Sequence, residues 1–223
     1  EDIELQAPDY SSYLIEWLAL VPRWRDYYLG HDQSGTYAYL KKSLQVLTFL
    51  KGPNRWVIKC PQHMEQLPAL HRTFPDATFV LTHRDPVGSI RSQLTMYTYA
   101  ARMLRKRIDI EEPKGYWIDR YERLLRACVR DRDVLPSAQT IDVYFHDWIR
   151  NPDPILREIY RKADMELTDA ALGELHAYLA EHGEQQKGKI VYDLERDFAI
   201  TAEEIRANFA FYFDRFPVEV EVR

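Results

Sequence analysis

Arg84, Asp85 and Pro86 stand in a row, and two serines, Ser89 and Ser92, follow three residues apart. Aspartate is a preferred helix cap and proline suits the first helical position, so the group reads as a strand-to-helix junction. An arginine fork beside two hydroxyls on one helix face, near the positive end of the helix dipole, is what a phosphate monoester needs. The competing reading is a solvated cap whose arginine bridges to a surface carboxylate, since helix starts attract anions generically. Two further strand ends carry the same kind of group. Lys59 closes the apolar run Arg55-Trp-Val-Ile-Lys59, and His146-Asp147 follows a third run. With His83-Arg84 between them, three ends delivering basic or titratable groups to one edge describe a local anion site.

Parallel sheets bind ligands beyond the carboxyl ends of their strands, so the elements around these residues decide whether they meet. The first stretch of the chain is patterned as helix, with Tyr13, Trp17, Leu18, Leu20 and Val21 on a broad apolar face before Pro22. A second helix is predicted over residues 35–50, ended by the turn Lys51-Gly-Pro-Asn54. The period then changes. Residues 55–59 and 77–82 read as strands with a helix-length segment between them, which predicts a βαβ unit. Residues 140–145 form a third strand after a helical hairpin, whose first arm runs over about residues 86–107 and whose second carries Trp117, Tyr121, Leu124, Leu125 and Cys128. Further helices open at Pro152 and after Thr168, and a last one is expected over residues 202–216. Residues 183–189 are polar and unpatterned. The fold class is α/β, helix-rich, with a parallel sheet covered by helices on both faces.

The 223 residues suffice for a sizeable core and are most simply one domain, 1–223. A net charge of -5 excludes a global field that would draw in nucleic acid, so any anion site must be local. Two cysteines make no disulfide framework, which points to a reducing, cytoplasmic setting. No apolar run reaches transmembrane length.

Trp56-Val-Ile-Lys-Cys-Pro61, followed by Phe74-Pro-Asp-Ala-Thr-Phe-Val-Leu-Thr-His-Arg-Asp-Pro86 and Ser92, resembles the PAPS-dependent sulfotransferases, which take a sulfuryl group from 3′-phosphoadenosine 5′-phosphosulfate and leave PAP. The chain is similar to the broad, largely bacterial branch with lysine-serine-proline after one strand and threonine-histidine-arginine-aspartate-proline after the next. The resemblance spans most of the chain and is sharpest over residues 55–92. It implies a P-loop-kinase-like fold in which Arg84 and Ser92 hold the donor's 3′-phosphate, with Ser89 beside them. Phe145 falls where relatives place an aromatic near adenine, although a core aromatic fits that position as well. Lys187, in Lys187-Gly-Lys189, matches weakly a basic flap over the cofactor.

Two departures accompany the likeness. The family's Gly-rich phosphosulfate loop has no counterpart among the eight scattered glycines, which predicts the larger C-terminal part of a longer protein, lacking the first strand and loop. The place where many relatives carry a catalytic histidine is Pro61, and the nearest histidine is His63. The resemblance implies metal-independent, in-line sulfuryl transfer to a hydroxyl, with Lys59 steadying the transferring group. His63 stands either as the general base or as a histidine at a helix start. Gln93, Met96 and Tyr97 would line the pocket of a small-molecule, glycan or lipid alcohol. The rival readings are a PAP-binding relic without turnover and a nucleotide kinase of the same fold. Acceptor identity and oligomeric state stay open, a homodimer among the options.

Overall fold

The two runs richest in β-formers that find a partner become strands. A computed structural model describes residues 1–182 and 193–222; Lys187 lies outside the described residues. Strand β1 is Phe79–His83 and β2 is Thr140–Tyr144. They pair in parallel with Phe79 opposite Thr140 and His83 opposite Tyr144, so their carboxyl ends are level. Parallel strands need a long crossover. Here it is a helical hairpin, built from Pro86–Leu104 and Glu111–Asp131. Along β1 the burial alternates: Phe79, Leu81 and His83 face inward while Val80 and Thr82 do not.

In chain order the helices are α1 Ile3–Gln6, α2 Leu14–Leu18, α3 Pro22–Gly30, α4 Ser34–Lys51, α5 Leu67–Thr73, α6 Pro86–Leu104 and α7 Glu111–Asp131. After β2 come α8 Phe145–Arg150, α9 Pro152–Lys162, α10 Asp169–His182, α11 Leu194–Phe198, α12 Ala202–Ala207 and α13 Ala210–Arg215. Gly52, at φ 89°, ends α4 where the Gly-Pro turn was expected. Asn151 caps α9 by accepting from Asp153 N, and Thr201 with Glu204 forms a capping box on α12.

Two expectations are corrected. Residues 55–59 are not part of a strand, and Val57 is 93% exposed. A strand needs a ladder partner for its N–H and C=O groups, and the one ladder among the described residues joins β1 to β2. The parallel pair is therefore β1 with β2, not residues 55–59 with β1. The final helix is also broken in two. The Asn208 amide donates to the carbonyls of Glu204 and Ile205 at 3.1 and 3.4 Å, diverting the last turn of α12.

The chain divides into two compact units. One comprises Glu1–Asp76 with Tyr97–Leu135, the other Ala77–Met96 with Pro136–Arg223, and α6 runs from the second into the first. The first unit packs Tyr13, Tyr37, Leu40, Leu67, Trp117 and Leu124. Within it lies a fully buried arginine, Arg120. Its guanidinium donates twice to Glu65, each at 2.6 Å, and through Nε to Glu16 at 2.8 Å, while Tyr116 donates its hydroxyl to Glu16 at 2.5 Å. A buried charge must be paired on every side to persist, and this one is. The second unit buries Ile205 and Phe209 and packs Tyr212 and Phe216 against His83 at the end of β1. Among the described residues no helix is long and apolar enough to cross a membrane.

Candidate functional site

The β1–α6 junction is built as the sequence suggested. Asp85 caps α6, its Oδ1 accepting from Val87 N at 3.0 Å. Its other oxygen accepts from the backbone N–H groups of Glu221 and Val222 at 3.0 and 3.4 Å and from Arg206 Nη2 at 3.3 Å. Those donors compensate the complete burial of the carboxylate.

Arg84 is the first residue beyond β1. Its guanidinium lies 4.2 Å from the ring centroid of Phe145, the first residue beyond β2, so the level strand ends bring the two together. Nη2 of Arg84 also reaches Glu221 Oε2 at 2.5 Å. The other oxygen of that carboxylate accepts from Asp85 N at 3.0 Å. A cationic fork and a helix-start amide thus converge on one anionic group.

Gly88 completes this cradle. A Cβ there would stand 3.2 Å from Arg84 Nη2 and 3.5 Å from Glu221 Oε2. Ser92 sits one turn further on the same helical stripe and is exposed, and Ser89 is half-buried. Gln93 is buried on α6 and Met96 is 42% exposed.

His83 departs from expectation. Rather than reaching toward an anion, it is buried, with Nδ1 2.7 Å from the Tyr212 hydroxyl and Nε2 2.9 Å from Asp142 Oδ1. Its inward place in the alternation of β1 is the physical reason. His146 lies instead beside Asp147 and Glu219, at 3.6 and 4.0 Å, and Arg150 donates to Glu219 at 2.8 Å.

Lys59, His63 and Tyr97 belong to the first unit. Lys59 is exposed and paired with Glu1. His63 lies in the 3₁₀ turn Pro61–Glu65, mostly buried. Its Nδ1 is 2.9 Å from the Tyr37 hydroxyl, and its Nε2 is 2.9 Å from Asp2 Oδ2, an ion-pair distance without hydrogen-bond alignment. The turn is pinned from within. Gln62 donates to Gln6 Oε1 and Ser11 O at 2.7 and 2.8 Å and accepts from Tyr13 N at 2.6 Å, while Glu65 holds Arg120. Burial pushes the Cys60 thiol up to about 12, so it stays protonated and unreactive beside Lys59. Tyr97 is buried with its ring 6.3 Å from that of Trp117, a core position within its unit.

Sequence reasoning missed Gly88, Glu221, Asp2 and Tyr37. Gly88 carried a signal, because glycine in a helix costs about 1 kcal/mol against alanine and invites a packing reason. Only the fold brings Glu221 to Arg84, and Asp2 and Tyr37 to His63. Among the described residues no three His, Cys, Asp or Glu side chains are grouped as a metal site would require.

Two crystal structures resemble the chain. The sulfotransferase STF9 from Mycobacterium avium matches with a TM-score of 0.85 and 27% identity, over 100% of this chain and 57% of that one. The sulfotransferase STF1 from Mycobacterium tuberculosis H37Rv matches with a TM-score of 0.80 and 27% identity, over 95% of this chain and 54% of that one. The chain therefore spans little more than half the length of these solved relatives. No curated protein matches it. The helix-rich α/β architecture with its small parallel sheet is that of the sulfotransferase fold. The sulfotransferase family model matches residues 1–169, and on that match the chain belongs to the sulfotransferase family.

Proposed function

We propose that this chain is the part of a PAPS-dependent sulfotransferase that grips the donor's 3′-phosphate and presents the catalytic base, acting on the hydroxyl of a small-molecule, glycan or lipid alcohol. The single observation that supports it is the carboxylate of Glu221 held by Arg84 Nη2 and the Asp85 amide. A phosphate monoester offers the same kind of oxygen to the same donors, with a further oxygen for the Ser92 hydroxyl and Ser89 close by. Phe145, under the Arg84 fork, offers a flat apolar face at the strand edge for the adenine.

In the reaction the acceptor oxygen attacks sulfur as the bond from sulfur to the 5′-phosphate oxygen breaks, and PAP leaves with that electron pair. The acceptor proton goes to His63, and the Asp2 carboxylate at 2.9 Å would stabilise the resulting imidazolium. Both ring nitrogens face partners, so Tyr37 or Asp2 must yield a nitrogen to the acceptor. Lys59 would steady charge on the transferring group, for which no metal is invoked. Gln93 and Met96 are the acceptor-side residues of this reading, with Tyr97 acting through packing. Cys60 and Cys128 are buried and not joined in a disulfide, which supports a reducing, cytoplasmic setting. Calorimetry with PAP beside 5′-AMP tests the donor assignment. Clear preference for PAP upholds it, and equal affinity overturns it.

A further inference from the structure

The segment after α13 lies on the same anion site that the proposed function assigns to the donor. Phe216, 2% exposed, anchors its start, and Val222, 9% exposed, anchors its far side. Between them Glu219 pairs with Arg150 and Glu221 with Arg84, so two successive outward carboxylates meet two arginines of one unit.

The backbone of this segment is held independently of the Glu221 side chain. Glu221 N and Val222 N both donate to Asp85 Oδ2, and Arg206 Nη2 donates to Val222 O at 2.5 Å. The carboxylate is thereby delivered to the Arg84 fork and the Asp85 amide, rather than drifting there from solvent. It is also the more enclosed partner of the pair, 19% exposed against 42% for the Arg84 side chain.

A singly charged carboxylate spends both oxygens on these two donors. A phosphate monoester dianion entering beside it would face like charge at contact distance, which is strongly unfavourable. It can enter only by exchange. The exchange favours the dianion, because its extra charge and third oxygen gain what the carboxylate cannot, whereas a neutral ribose hydroxyl gains nothing from Arg84 and leaves Glu221 in place.

We infer that Glu221 is an internal carboxylate ligand of the Arg84 site, displaced by a phosphate dianion but not by a neutral ribose hydroxyl, so that it sets a threshold which a nucleoside without phosphate neither has to pass nor can exploit. This rests on reading Arg84 as an anion ligand and not on the identity of the nucleotide.

The test compares wild type with Glu221→Gln, which keeps size and backbone bonding but removes the charge. Glu219→Gln serves as a neighbouring control, and thermal melts confirm folding. PAP, 5′-AMP and adenosine are titrated by calorimetry, and orthophosphate by the NMR shift of the Asp85 amide. The inference expects PAP and orthophosphate to bind Glu221→Gln roughly five- to tenfold more tightly, with adenosine and the Glu219→Gln control unchanged. If PAP and orthophosphate bind both forms equally and PAP keeps its preference over 5′-AMP, the internal-ligand role is overturned while the donor reading stands. If orthophosphate tightens but PAP shows no preference over 5′-AMP, the internal ligand stands and the donor reading falls. If no anion moves the Asp85 amide in either form, both fall.

Discussion

His83 Nε2 lies 2.9 Å from Asp142 Oδ1, and this bond ties the carboxyl end of β1 to β2 one residue before Arg84 leaves the sheet. Tyr212 holds the other ring nitrogen at 2.7 Å, and Phe216 packs on the ring with centroids 4.2 Å apart. The imidazole therefore fixes where Arg84 begins. His83→Ala should cost about 2–4 kcal/mol of stability, through a cavity and the loss of two buried hydrogen bonds. Denaturant unfolding of the variant measures this, and a cost near zero would refute the role.

Arg84→Ala removes the fork from the anion site. PAP affinity should fall by roughly 2–4 kcal/mol, the scale of losing a charge-assisted contact to a phosphate. Calorimetry reads the change directly. Unaltered affinity would remove the site from the β1–α6 junction.

Gly88→Ala separates binding from stability. Alanine relieves the helical cost of glycine by up to about 1 kcal/mol, so the melting temperature should hold or rise. Its Cβ, 3.2 Å from Arg84 Nη2, would push the flexible fork aside. PAP affinity should drop about threefold, the modest loss expected when a charged contact shifts without being removed. A variant that binds PAP as well as wild type would show that the close approach is incidental.

His63→Asn tests the base. Loss of general-base catalysis should lower turnover of labelled PAPS by about 10²- to 10⁴-fold, while PAP affinity stays near that of wild type. Parallel losses in both would mark His63 as structural, acting through the turn it shares with Gln62 and Glu65.

Local pattern made part of this architecture legible and withheld the rest. The alternation in Phe79–His83 and the Asp-Pro start of α6 were readable because strands and caps are decided by near neighbours. The same alternation places His83 on the buried face with Phe79 and Leu81, a signal outweighed by the expectation that a strand-end histidine joins the anion site. Residues 55–59 carry strand composition, but a ladder is a property of two segments, and composition cannot supply the second. Glu221 was out of reach altogether. It meets Arg84 across 137 residues of sequence, a contact only tertiary structure could create.

The buried pair of Glu65 and Arg120 holds the His63 turn. Burial, reinforced by the nearby Glu16 carboxylate, pushes the Glu65 carboxyl above its ordinary 4.5, although Arg120 pulls the other way. Burial also works against the Arg120 charge, and the Glu65 carboxylate more than restores it. A carboxyl whose folded value is raised binds its proton more tightly folded than unfolded. Its contribution to stability is then fully present below about pH 4.5 and is lost as pH rises through the elevated folded value. Glu65→Gln cannot titrate, so the stability of wild type relative to Glu65→Gln should shrink as pH rises from 4.5 toward neutrality. Paired denaturant titrations across that range measure the difference. A gap that widens with pH would mean that Arg120, not burial, governs Glu65, and the cluster would then act as an ordinary ion pair favouring the charged form.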